Sequence, residues 1–243
     1  MTLDNVLSAL FPLGYQIERG PSGTLHGTTR IEGHDKVTVV GISGGTPLGV
    51  DGAILLARHV LAAVEAEDRA PIVVLVDTAS QNMARRDELL GLNEHLAHLA
   101  KSLAFAALQG HQTVSVLFGH AAAGAFIAAG LSSESLVALP GAEASVMDLP
   151  SISRVTKLPL EQLQDLAKST PIFAPGIEPL FAIGAVTDIW AAGDQPFAKR
   201  LAALLQQPAG TSDSRDRIGL ERKGRLLAKK IAERVIAEAA AHA

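Results

Sequence analysis

In the stretch Val114–Gly130, VSVLFGHAAAGAFIAAG, an apolar β-favouring run passes into small residues, with Gly119 and Gly124 bracketing His120–Ala123. Small side chains let a backbone approach another atom closely. The spacing predicts a buried strand, a tight turn and a helix starting over Ala125–Ala129. The first N–H groups of such a helix lack intrahelical partners and can face an oxyanion or a carboxylate. The same residues also serve close helix–sheet packing with no ligand, so the turn alone admits both readings.

Other chemistries are narrowed by composition. Cysteine is absent, which removes disulfides, thiolate metal sites and a cysteine nucleophile. No HExxH is present, and His95 and His98 share a helix face without a third ligand, so no metal site is expected. The loop Ser43–Gly49, SGGTPLG, has three glycines but neither GxGxxG spacing nor a P-loop lysine. Charged residues make up 19% and the net charge is −4, which favours neither nucleic acid nor an anionic membrane as partner. Among polar side chains, His120 is either a carboxylate or partner contact or a structural histidine. Arg85 and Arg86, ahead of Asp87 and Glu88, either meet a carboxylate or phosphate or form a solvated ion-pair cluster. Asp77 reads as a turn or cap residue, and Gln81 and Asn82 suit a pocket that desolvates a carboxylate.

The elements that must hold these residues follow from hydrophobic period. Residues 1–36, punctuated by glycines, predict short antiparallel edge strands. Val37–Ile42, Pro71–Val76 and Thr113–Phe118 are continuous apolar runs, the mark of strands buried on both faces. Between them, a helix capped by Asp51 with Ile54, Leu55, Val60, Leu61 and Val64 inward, and a second from Ala84 to Leu108 striped by Leu89, Leu92, Leu96, Leu99 and Leu103, complete strand–loop–helix units. Ligand-facing loops then gather at the strand carboxyl ends. Short strands at Leu136–Leu139, Ala144–Met147 and Val186–Trp190, and helices at Pro159–Lys168 and Ile177–Ile183, follow. Gln206–Ser214 reads as a linker and Asp216–Ala240 as one long amphipathic helix. With 243 residues, 48% of them hydrophobic, the chain can bury a sizeable core. Neither a signal pattern nor an apolar run of spanning length is evident, so a cytoplasmic location is expected.

The run PIVVLVDTASQNMARRDELLGLNEHLAHLA (residues 71–100), with VLFGHAAAGAF and DSRDRIGLERKGR (residues 213–225), resembles the biotin-independent malonate decarboxylase gamma subunit family, in the carboxyltransferase branch of the crotonase superfamily. The resemblance extends from about residue 37, and RRDELLG and DRIGLER are its specific parts. It implies a single α/β crotonase/ClpP-like domain: irregular N-terminal strands over 1–36, a spiral of ββα units over 37–205 and a C-terminal helical segment over 214–240. It also implies two backbone oxyanion holes, one at Ala123, Gly124 and Ala125 and one near Ala79, Ser80 and Gln81; the polar side chains of Asn82, His120 and Arg85 are the candidates for substrate contact beside them. The chain has Ser80 and Ala121–Ala123 where such carboxyltransferases usually carry glycines. A ClpP-type nucleophilic serine would fall at Ala123, which leaves backbone donors.

The activity implied is decarboxylation of a malonyl thioester, with the enolate stabilised by preorganised N–H donors. Implied partners are a homologous beta subunit, an acyl carrier protein whose CoA-like prosthetic group brings the substrate, and the acyl carrier protein transferase subunit; no tightly bound cofactor is implied. Two other readings remain open at this level: a biotin-dependent acyl carboxyltransferase subunit, and a non-catalytic structural subunit of the same complex.

Overall fold

The computed structural model describes residues 1–171, 174–193, 195–207 and 213–241. In chain order the elements are α1 (Leu3–Leu10), β1 (Tyr15–Arg19), β2 (Thr24–Ile31), β3 (His34–Ile42), α2 (Val50–Glu65), β4 (Ile72–Thr78), α3 (Arg85–Leu89) and α4 (Leu92–Leu108). There follow β5 (Thr113–Ala122), α5 (Ala123–Ala125) running into a π-turn at Phe126–Gly130, β6 (Ser135–Ala138), β7 (Glu143–Ser145), α6 (Leu149–Thr156) and α7 (Leu160–Ser169). The last are α8 (Ile177–Ala182), β8 (Asp188–Ile189), α9 (Phe197–Leu205), α10 (Arg215–Glu221) and α11 (Ala228–Ala241). They form two compact units, Met1–Val146 with Asp188–Thr211, and Met147–Thr187 with Ser212–Ala243. Among the described residues no helix is long and apolar enough to cross a membrane.

In the first unit the sheet runs β1-β2-β3-β4-β5-β6-β8, with β7 paired to the end of β5. β1, β2 and β3 are antiparallel, and the pairs from β3 onward are parallel. The three apolar runs are the interior strands. Val73 and Leu75, with Val114, Val116 and Phe118, point to one face, where Val6, Leu10 and Phe11 from the N-terminal helix and Leu201 from α9 complete the core. Val74, Val76 and Leu117, on the alternate face, are equally buried. Beyond the long strands, short continuations pair with one another: Leu48 with Gln81, Thr78 with Ala121, and His120–Ala122 with Glu143–Ser145. This doubling of each strand before its helix is the ββα repeat.

Several expectations are corrected. Residues 1–36 do supply an antiparallel edge, but they open with α1, whose N-terminus is capped by the Thr2 hydroxyl and which buries Val6, Leu7 and Leu10. Asp51 is not the cap of α2: Gly49 holds that place, and Asp51 and Ile54 are exposed. The helix expected over Ala84–Leu108 is broken at Gly91 (φ 75°), which separates α3 from α4. Leu89 therefore leaves the apolar stripe and is 75% exposed. The long C-terminal helix is likewise two, interrupted by Lys223 (φ 63°) and Gly224. Helices α6 and α9 have no counterpart among the elements expected from the periodicity. Of the expected linker, residues 208–212 lie outside the described residues.

In the second unit, Arg222 explains much of DRIGLER. Its guanidinium lies 3.6 Å over the Phe181 ring and donates to the carbonyls of Phe181, Val186 and Thr187 at 2.9, 2.8 and 2.8 Å. Gly224 packs so closely that a Cβ there would lie 2.1 Å from the Ala182 carbonyl oxygen. Arg222 is thus a clamp within this unit, tying α10 to the Phe181–Thr187 segment.

Candidate functional site

Two turns at the carboxyl ends of the interior strands are held by a single carboxylate. Asp77, near the end of β4, accepts the N–H of Gly44 (2.8 Å) and of Gly45 (3.2 Å) on one oxygen and that of His120 (3.1 Å) on the other. Both glycines have left-handed φ, 74° and 60°, which turns successive N–H groups toward the same acceptor. Gly119 is required where it stands, because a Cβ would sit 2.2 Å from the Asp77 carboxylate. Asp77 is more than the turn residue expected of it: it sets the spacing between the loop after β3 and the turn in β5.

The loop after β4 is fixed from two sides. Leu48 donates its N–H to Ser80 (2.9 Å) and accepts that of Asn82 (2.8 Å). In a parallel bridge of this kind the intervening Gln81 turns its own N–H and C=O away from Leu48. On the other side, the Asn82 side chain donates to Asp87 (3.0 Å), whose second oxygen accepts the Val50 N–H at 2.7 Å. Asp87 is buried and caps α2 from another helix, the task the sequence pattern assigns to Asp51. The neighbouring Arg86 makes a two-pronged pair with Asp51 (2.8 and 3.1 Å) and holds that carboxyl below the usual carboxylate range. RRDELLG is therefore a tie between α2 and α3, and Arg85 is left exposed, without an ion pair among the described residues.

At the organising turn, Ala122 is extended, Ala123 takes φ 53° and Ala125 is already helical. A left-handed alanine costs on the order of 1–2 kcal/mol, which the flanking strand and helix must offset. Gly124 then aims its N–H at the side-chain oxygen of Gln81, 2.9 Å away. A Cβ on Gly124 would lie 3.3 Å from that oxygen and 3.3 Å from Leu96 Cδ1. The two stretches singled out in the sequence, Ala79–Gln81 and Ala123–Ala125, thus meet through a side chain. Ala79 is exposed and Ser80 half-buried, its hydroxyl donating to the Gln81 carbonyl at 2.8 Å. His120 is exposed, tied down by its N–H, with its imidazole 3.9 Å from Glu143 on the adjacent β7.

Missing from the sequence reading were the gathering role of Asp77, the cap by Asp87 and the hydrogen bond that the Gln81 side chain accepts from Gly124. Only Asp77, an acid closing an apolar strand run, left a local signal. Among the described residues no cluster of three or more His, Cys, Asp or Glu is arranged to hold a metal ion.

Residues 43–239 match the family model described as malonate decarboxylase gamma subunit, MdcE. The malonyl-S-ACP:biotin-protein carboxyltransferase MADD of Malonomonas rubra is 27% identical over 202 residues, 76% of this chain and 69% of that protein. A Pseudomonas malonate decarboxylase hetero-tetramer in complex with coenzyme A superposes with a TM-score of 0.78 at 23% identity, covering 96% of this chain and 97% of that one. The transcarboxylase 12S core gives 0.68 at 18% identity, over 87% of this chain and 44% of that one. The fold is thus that of the crotonase-type carboxyltransferases.

Proposed function

Because this chain belongs to the malonate decarboxylase gamma subunit family, we propose that it works with a homologous beta subunit to convert a malonyl thioester on an acyl carrier protein to the acetyl thioester and CO2. The observation that carries this reading is the convergence of two strand-to-helix turns at the Gln81–Gly124 hydrogen bond. In the reaction the bond from C2 to the carboxylate breaks and its electron pair moves onto the thioester oxygen as an enolate. N–H donors already in place lower that barrier without reorganising. The donors in this reading are the main-chain N–H groups of Ala123 and Ala125, on either side of Gly124, whose own N–H holds the Gln81 side chain, and those of Ser80–Gln81; Ala79, Asn82, His120 and Arg85 border them on the substrate side. Protonation of the carbanion carbon by water completes the acetyl group. The substrate arrives on the CoA-like prosthetic arm of the carrier protein, loaded by a transferase subunit, in the cytoplasm. A Pseudomonas relative solved as an MdcD–MdcE hetero-dimer, and others bound to coenzyme A and to malonate, support the partner and the ligand class. Residues 1–243 form one such domain in this reading.

The test is CO2 release from malonyl thioester by the chain co-expressed with its homologous partner subunit. Biotin-free release by the wild type, reduced about 100-fold in an assembled Gly124→Val complex, is the expected result. Normal turnover by that variant would refute a catalytic turn and leave a supporting subunit. The likeness to MADD favours one second reading, carboxyl transfer to a biotin protein; stimulation by a biotinylated carrier and inhibition by avidin would establish it instead.

A further inference from the structure

The sequence marks Gly124 and Gln81 as separate backbone donors, but their contact makes the Gly124 N–H a donor to protein. A carboxamide has one acceptor end and one end with two N–H donors. Since Gly124 can only donate, the Gln81 oxygen must be the end facing it at 2.9 Å, and Nε2 must face the other way. The Gln81 backbone is pinned by the bridge to Leu48 on one side, and its C=O takes the Ser80 hydroxyl. Nε2 has no hydrogen-bond partner among the described residues, and it is not among the buried polar atoms left without one. It therefore reaches solvent beside the turn.

Resting on the decarboxylase reading above, we infer that the Gln81 carboxamide is itself an oxyanion donor, oriented by Gly124, and that Gly124 acts through it as a positioning residue. As CO2 leaves, the enolate oxygen accepts from Nε2–H, while the Gly124 N–H keeps the carboxamide from flipping its oxygen toward the growing negative charge. No proton moves in this step; the hydrogen bond strengthens as the charge develops. The arrangement explains why a glutamine suits a position where backbone donors alone would accept any residue, and why Gly124 must stay small, since a Cβ would press on the same oxygen.

The test compares Gln81→Ala and Gln81→Glu with wild type in the assembled complex with the partner subunit. Gln81→Glu keeps an acceptor for Gly124 and so preserves the fold, but at neutral pH it has no donor. Both variants are expected to lose about 100-fold in kcat with little change in KM. Gln81→Glu should regain part of that loss relative to wild type as pH falls toward the carboxyl range near 4.3, where a protonated acid becomes a donor again. A merely structural glutamine would not produce that pH signature. Turnover by Gln81→Ala at or above the wild-type rate would overturn the inference and make Gln81 a stopper on the Gly124 amide. Absence of biotin-free CO2 release in the wild type would instead overturn the decarboxylase reading itself.

Discussion

Asp87 and Val50 lie on different helices, 37 residues apart, and the buried carboxylate of the first accepts the N–H of the second at 2.7 Å. The contact caps a 16-residue helix from outside and sets a negative charge at its positive end. Asp87→Ala leaves that N–H and the Asn82 amide without their acceptor, so a loss of about 3 kcal/mol in urea unfolding is expected. A loss below about 1 kcal/mol would show that water replaces the carboxylate freely.

Gly119→Ala tests whether Asp77 governs the site. The added methyl falls 2.2 Å from the carboxylate, so Asp77 must swing away from His120 and the loop at Gly44–Gly45. Turnover of the assembled complex should fall at least about tenfold, because displacing donors by a fraction of an ångström weakens transition-state stabilisation. Gly141→Ala meets nothing within 4 Å but sits at a left-handed φ of 78°, so it should cost about 1 kcal/mol of stability and leave turnover unchanged.

Arg222→Ala removes a guanidinium serving three carbonyls and the Phe181 ring. A cost of about 3 kcal/mol is expected, seen most directly as lost hydrogen-exchange protection over residues 181–187. Arg222→Lys should recover less than half, since an ammonium cannot reproduce the planar fork.

A pH dependence follows from His59, stacked on His26 with ring centroids 4.0 Å apart. Burial pushes the His59 imidazole below its ordinary value, and His26 and Arg58 add to the shift while Glu18, 3.4 Å from His26, opposes it. The unfolded chain therefore takes up a proton at a pH where the folded chain resists it. Stability is fully present above about 6.5 and declines as pH falls through the lowered folded value. The urea midpoint should drop between about pH 7 and 5, and His59→Phe should flatten that drop; an unchanged slope would refute the assignment.

What could be read in advance had a local cause. Continuous apolar runs over 37–42, 71–76 and 113–118 mark interior parallel strands because both faces of each must be buried, and the glycines at 44, 45, 119 and 124 mark turns because a Cβ has no room or the φ is left-handed. The helix ends were legible only where the signal was adjacent. Gly91 broke a helix that its leucine spacing would have carried through, and Asp51 looked like a cap although the real one comes from Asp87 through space. The two turns at Ala79–Gln81 and Ala123–Ala125 were legible from small residues and strand ends, whereas the carboxamide that joins them is set by tertiary structure.

The main-chain donors proposed for this site carry a consequence for how the chain tolerates change. Every residue except proline carries such a donor, so exchanging one side chain for another around Ala79 or Ala122 leaves the donors in place if the replacement fits. Losing or gaining one residue does not. Between Asp77, anchored to Gly44 and His120, and Gln81, anchored to Leu48 and Gly124, only three residues intervene, and adding or removing one would break one of the two anchors. This segment is therefore permissive toward spelling and intolerant of length.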